Sequence, residues 1–277
     1  MKLYEKRERS LPTGWYPDTE EGVREILMKW GDIHGKREGN CISGIVPHAG
    51  WFFSGYIAFS VMSNLITDAE TVVIAGGHLP GGISAMLFNY RELDTPLGPL
   101  ETDLIFLEEL SESIRFYEGT EADNTVEVQL PIIKYLFPES KVVALRVGAG
   151  DDAIELGKEI AAVSRNLGKK TVVVGSTDLT HYGPSYGFTP HGTGNSALRW
   201  VREVNDKKII DSFISMDGER VLEHGNRDKA ACSSGAAACA IAFAREKGRT
   251  RGELISYKTS NDVYQGDSFV GYAGVVY

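Results

Sequence analysis

Cysteine is scarce in this chain. There are 3 in 277 residues, an odd number without framework spacing, which excludes a small disulfide-stapled scaffold. No apolar run approaches the ~18 residues that a membrane span requires. Basic charge is also short, with 29 Lys and Arg against 38 Asp and Glu and a net charge of −9. Nucleic-acid binding needs a basic footprint, so no nucleic-acid partner is expected. The opening "MKLYEKRERSLPTGWYP" is charged and lacks the apolar core of a secretion signal. These absences predict a cytoplasmic protein without a membrane partner. Glycine-rich "GGHLPGG" and "HGTGNS" have neither the Lys and Ser/Thr of a P-loop nor dinucleotide-fingerprint spacing.

What remains is an ordinary globular composition, 42% apolar and 24% charged. "TVVIAGG" (71–77), "KVVALRV" (141–147) and "TVVVGST" (171–177) are short, β-branched and almost wholly apolar. Such runs fit strands buried on both faces, as in a parallel sheet. "GYIAFSVMSNLI", "DDAIELGKEIAAVSRNLG", "SALRWVREVNDKKIIDSFI" and "SSGAAACAIAFAREKG" carry helical periodicity or composition between the strands. "ELISYKTS" and "SFVGYAGVVY" alternate and predict closing strands. No repeat or linker divides the chain. The expectation is an α/β fold over 1–277 as one domain, with a central mixed, largely parallel sheet flanked by helices.

Histidine placement carries the chemistry. His48 follows the apolar run Cys41–Val46, His78 follows "TVVIAGG", and His181 follows "TVVVGSTDLT". Ligands of open α/β sheets bind beyond the carboxyl ends of the strands, so these three could converge there. Gly50, Gly55, Gly76, Gly77, Gly81 and Gly82 would permit tight turns around them. Solvated turn histidines remain the plainer alternative for each one alone. Cys232 stands at the mouth of the Ala-rich helix, where backbone N–H groups and the dipole favour a thiolate. Cys239 and Cys41 are expected in the core. Asp178 could orient an imidazole or bind a substrate hydroxyl, or simply cap a turn. Asn124 and Glu127 have capping-box spacing; a substrate-binding role is the alternative. Asp123 and Gln129 are weaker candidates, and His34, His191 and His224 are expected on the solvated surface.

"TGWYP", "IVPHAGWFFSG", "GGHLPGG", "DNTVEVQLPIIKYLFP", "VGSTDLTHYG" and "ACSSG" resemble, in order and approximate spacing, the Memo family. The resemblance is to the type that forms protein B of the AmmeMemoRadiSam system, and it runs from about Gly14 to the C-terminus. It implies a fold like the class III extradiol ring-cleavage dioxygenases. It further implies a metal held by His48, His78 and Cys232, where the dioxygenases use two His and a Glu. His181, with Asp178 beside it, matches the acid/base histidine. Several Memo proteins carry histidines where this chain has Asn124 and Gln129, and the second histidine of their "SHH" is Leu79 here.

Two imidazoles and one thiolate leave open positions on an ion and suit Fe(II), Cu or Zn. The expected activity is therefore a metal-dependent redox enzyme, an Fe(II) oxygenase of a small organic substrate. A metal-free hydrolase built on Cys232, His181 and Asp178 is one alternative. A non-enzymatic peptide-binding adaptor is another, although Arg91, Arg146 and Arg227 do not cluster near the motifs. The resemblance also implies a functional link to a radical S-adenosylmethionine protein.

Overall fold

The computed structural model describes residues 3–35, 39–79, 83–119 and 123–277. Gly81 and Gly82 lie outside the described residues. In chain order, β1 (Tyr4–Arg7) and α1 (Glu20–His34) precede β2 (Ser43–Val46) and α2 (Trp51–Ser63). Next come β3 (Thr71–Gly76), β4 (Ala85–Leu87), β5 (Tyr90–Leu93), β6 (Leu100–Glu101), α3 (Leu104–Ser113) and β7 (Tyr117–Glu118). Then follow α4 (Asn124–Glu127), α5 (Leu130–Leu136), β8 (Lys141–Val147), α6 (Asp152–Asn166), β9 (Thr171–Ser176) and β10 (His181–Tyr182). The chain closes with α7 (Asn195–Trp200), α8 (Asp206–Ile214), α9 (Gly218–Asp228), α10 (Ser234–Glu246), β11 (Glu253–Thr259) and β12 (Phe269–Val276).

Nine of the strands form one sheet in the order β10-β12-β2-β9-β3-β8-β4-β7, with β11 added on β12. Its centre, β2-β9-β3-β8, is parallel, while β12 and β4 run antiparallel to their central neighbours. The apolar runs explain this, because every residue of β3 and β9 is buried and both faces must be covered. Alternation sorts the side chains. Val73, Ala75, Val143 and Leu145 face a core with α6, α8, α9 and α10, whereas Val72, Ile74, Val142 and Ala144 face one with α1, α2 and α5. A separate sheet, β1-β5-β6, was not apparent in the sequence. Among the described residues, no helix is long and apolar enough to cross a membrane.

Helix α10 runs between the sheet and α6, and everything from Ser234 to Ala244 is buried. Its alanines make this close approach feasible. At its mouth, Gly77 meets Ser233 so tightly that any side-chain carbon on Gly77 would collide with the serine. This contact brings the end of β3 and the start of α10 together.

Several details differ from the sequence expectations. The helix expected over 196–214 is continuous but contains a π-helical turn at Val201–Asn205. Cys41 forms only an isolated bridge to Leu65 and is half-buried, since the strand begins at Ser43. Cys239 is buried as expected. His224 is not a solvated residue: its Nδ1 lies 2.9 Å from Asp228 Oδ2 one helical turn away. His34 is half-buried with its ring edge-on to Phe59, while His191 is exposed and lies against Trp200.

Candidate metal centre

Three parallel strands explain the convergence. His48, Asp178 and His78 are each the second residue past the carboxyl ends of β2, β9 and β3, which lie side by side. Neighbouring strands are ~4.8 Å apart, so equivalent positions beyond their ends must meet. Asp178 Oδ1 accepts from the His48 main-chain N–H at 2.7 Å, tying two of these loops together. Cys232 arrives from the opposite direction. Its N–H donates to the Asp178 carbonyl at 3.2 Å, and the Ser233 N–H donates to Thr177 Oγ1 at 3.1 Å. The segment before α10 is thereby stitched onto the end of β9.

The result is a compact donor set. His48 Nε2 is 3.2 Å from Cys232 Sγ, and ligand atoms of His48, His78 and Cys232 all lie within 4.8 Å of one another. Bonds of ~2.1 Å to imidazole and ~2.3 Å to thiolate would let that nitrogen and sulfur share one ion. The residues present therefore fit a metal. The His48 and His78 rings stand nearly perpendicular at 83°, with centroids 5.0 Å apart. His48 is buried, and His78, at 35% side-chain exposure, forms the open side of the site.

His78 has a left-handed backbone, φ 56°, unusual for a residue with a side chain. Arg146, near the end of β8, holds it there. Its Nε donates to the Gly77 carbonyl at 2.7 Å and its Nη2 to the His78 carbonyl at 2.6 Å. The same guanidinium pairs with Asp123 Oδ2 at 3.3 Å, and that carboxylate lies 3.9 Å from His78 Nδ1. From sequence, Arg146 is only an isolated basic residue. The structure gives it a supporting position behind the His78 loop.

Electrostatics keep the imidazoles neutral, the form a metal requires. Burial and the nearby His78 push His48 down to about 3, against the opposing pull of Asp123. Burial likewise lowers His78 and His181 despite nearby carboxylates. Burial raises Asp178 to about 6, with His181 opposing. The thiol differs from the sequence expectation. Burial and the Asp178 charge push Cys232 up to about 12, so the approach of a helix N-terminus does not yield a free thiolate.

His181 sits in β10, which pairs with β12, and its Nε2 is 3.9 Å from Asp178 Oδ2. That buried nitrogen has no hydrogen-bond partner among the described residues. The ring packs edge-on against Tyr186, with centroids 5.0 Å apart. Beneath β10, Asp206 and Asn205 hold Thr180 from the π-helical junction: Asp206 Oδ1 accepts from the Thr180 N–H at 3.1 Å, and Asn205 Nδ2 donates to its hydroxyl at 2.9 Å. Nothing in the local sequence of Asp206 signalled this.

The segment carrying Asn124 and Glu127 divides. Asp123, not Asn124, caps α4 by accepting from the Thr125 N–H at 2.9 Å. Asn124 Nδ2 donates to the His48 carbonyl at 3.1 Å, so this side chain braces the His48 loop. Glu127 points elsewhere. It pairs with Arg7 at 3.1 Å and accepts from the Ser10 N–H at 2.7 Å, the Leu11 N–H at 2.8 Å and Tyr16 Oη at 3.2 Å. Both its oxygens are engaged, and they anchor the N-terminal segment. Gln129 donates from Nε2 to the Pro47 carbonyl at 2.7 Å, just before His48.

A family model described as Memo-like protein matches residues 7–276. A MEMO1 family protein of Archaeoglobus fulgidus is 33% identical over 269 residues, covering 95% of this chain and 96% of that one. Another from Pyrococcus furiosus is 31% identical over 280 residues, with 95% of each chain covered. An uncharacterized protein of Escherichia coli K12 shares the fold. Its crystal structure superposes with a TM-score of 0.53 at 11% identity, covering 85% of this chain and 99% of that one. This likeness shows the α/β fold alone.

Proposed function

The chain belongs to the Memo family, and from that premise we propose a metal-dependent redox enzyme, an Fe(II) oxygenase acting on a small organic substrate. One observation carries the reading: His48 Nε2 and Cys232 Sγ lie 3.2 Å apart with His78 beside them. Imidazole and thiolate donors suit Fe(II), with Cu and Zn as the competing ions. The metal, when bound, would supply the redox chemistry and a point of attachment for the substrate.

The chain's own residues supply the rest. His181 is kept neutral by burial with an unpartnered Nε2, so it is able to accept a proton from a substrate hydroxyl. Asp178 faces His181 and His48 and would stabilise the imidazolium that results. Asn124 fixes the His48 loop. A link to a radical S-adenosylmethionine protein belongs to the same proposal and rests on the family alone.

The metal-free hydrolase draws little support. Its nucleophile would need a lowered thiol pKa, whereas Cys232 is raised, and the imidazole at the sulfur is His48, pushed too low to act as a base near neutrality. For the peptide adaptor, Arg146 is buried and engaged, while Arg91 and Arg227 pair with neighbouring acids. Anaerobic purification followed by elemental analysis tests the proposal. About one equivalent of iron is expected. Metal-free protein that takes up neither Fe(II), Cu nor Zn on titration would end it.

A further inference from the structure

The geometry points to Ser233 as a positioning residue whose hydroxyl donates to the Cys232 sulfur and steadies it as a thiolate ligand. This inference deepens the metal reading and rests on it, because a sulfur bound to an ion carries no proton and can only accept. A hydroxyl beside such a sulfur serves it by donating. The question is which hydroxyl is free to do so.

Two stand within reach. Thr177 Oγ1 is 3.9 Å from the sulfur and Ser233 Oγ is 3.6 Å from it. Thr177 is committed elsewhere. Its hydroxyl donates to the Asp178 carbonyl at 2.8 Å, and its oxygen accepts the Ser233 N–H at 3.1 Å. For the Ser233 hydroxyl, the Cys232 sulfur is the single hydrogen-bond partner among the described residues. Ser233 is 3% exposed, so a proton turned away from the sulfur would have no solvent to receive it.

The plainer role for this serine is to cap a helix. Ser233 holds the N-cap position of α10, where a serine oxygen accepts from a main-chain N–H within the first turn. Its side chain makes no such bond. The hydroxyl instead packs against Gly77, in the space that a side chain there would fill. It is thus lodged between the end of β3 and the sulfur, while its own N–H is fixed by Thr177.

The sulfur gains from such a donor. It also faces the Asp178 carbonyl oxygen at 3.6 Å, whose partial negative charge opposes a thiolate. A proton donated by Ser233 offsets that charge and strengthens the hold on an ion. It also draws electron density out of the metal–sulfur bond, which raises the reduction potential of a redox-active ion.

The test loads full-length protein with Co(II), whose thiolate charge-transfer band reports electron density on the sulfur, and measures zinc affinity by competition. Wild-type protein should show the band. Ser233→Ala should move it to longer wavelength, since a sulfur without its donor gives up an electron more easily. The same variant should lower zinc affinity roughly tenfold, the low end for losing a partner of a metal ligand. Ser233→Thr keeps the hydroxyl and should hold both values near wild type. Ser233→Gly takes the place of the alanine variant if that does not fold, with the same expectation. An unmoved band in the folded, hydroxyl-free variant would overturn the donor role and leave the metal reading standing, whatever the affinity. A band displaced equally in Ser233→Thr would also overturn it, because packing rather than the hydroxyl would be responsible. Wild-type protein that takes up neither ion, or binds cobalt without the band, would sink the thiolate ligand and its donor together.

Discussion

His48 Nε2 and Cys232 Sγ come within 3.2 Å of each other although 184 residues separate them in sequence. The contact sets a pH requirement for metal binding. Burial keeps His48 neutral down to about 3 and keeps the Cys232 thiol protonated up to about 12. Over the range between, a metal must displace one proton in net, that of the thiol, because the imidazole is already neutral. Zinc affinity should therefore climb about tenfold per pH unit between pH 6 and 8, with about one proton released per ion. Calorimetry in buffers of different ionisation enthalpy measures that number. A pH-independent affinity would mean that the sulfur is not a ligand.

Glu127 yields a stability prediction distinct from metal binding. Burial alone would raise its carboxyl, but donors from Ser10, Leu11 and Arg7 outweigh it and hold the group below the usual range. Glu127→Ala removes the carboxylate that pairs with the buried Arg7 guanidinium and leaves the Ser10 and Leu11 N–H groups without this acceptor. Breaking such a pair from one side costs about 3–5 kcal/mol. Urea denaturation should show a loss of that order. A loss below about 1 kcal/mol would mean that the N-terminal segment is not anchored through this carboxylate.

The contrast between these sites marks what could be read in advance. The central strands were legible because burial on both faces leaves a run such as "TVVIAGG" no polar positions. The meeting of His48 and His78 followed, since they stand just past the ends of β2 and β3, the two strands that flank β9. Strand β1 was hidden: "YEKR" is mostly charged, and only pairing with β5 makes it a strand. The partners of Glu127 lie more than a hundred residues upstream, and no local spacing encodes them. Capping-box spacing suggested Asn124 as the cap, but Asp123 takes that role. The Cys232 thiol shows the same limit. Its place before a helix is a sequence property, whereas the burial that raises it is a property of the packed site.

Asp206 gives a pH-dependent test of the support beneath His181. Burial raises it to about 7 although Thr180 and Tyr257 bond to it. A raised carboxyl favours folding fully below its unfolded value of ~3.9, and that contribution is lost as pH rises through 7. Asp206→Asn imitates the neutral form: its oxygen can accept from the Thr180 N–H and its amide can donate to Tyr257 Oη. The stability of wild type relative to this variant should fall between pH 4 and 7, at most about 1.4 kcal/mol per unit. Parallel stability curves would mean that Asp206 is ionised throughout.

The last prediction separates the ligands from the base. His48→Ala, His78→Ala and Cys232→Ala each remove a donor from the set, so each should weaken metal binding by at least tenfold, about 1.4 kcal/mol. His181→Ala should leave the metal bound, because His181 stands outside the group whose ligand atoms lie within 4.8 Å of one another. Asp178→Asn should retain it too, with some loss, since the His48 N–H depends on that carboxylate. Cys232→Glu extends the test by rebuilding a two-histidine, one-carboxylate set suited to Fe(II). It should keep more iron than Cys232→Ala, although the longer side chain enters a space shaped for sulfur. Anaerobic iron titration with far-UV circular dichroism as a fold control reads all six variants. Equal metal loss in His181→Ala and the three ligand variants would make His181 a ligand. Full retention in Cys232→Ala would remove the thiolate from the site.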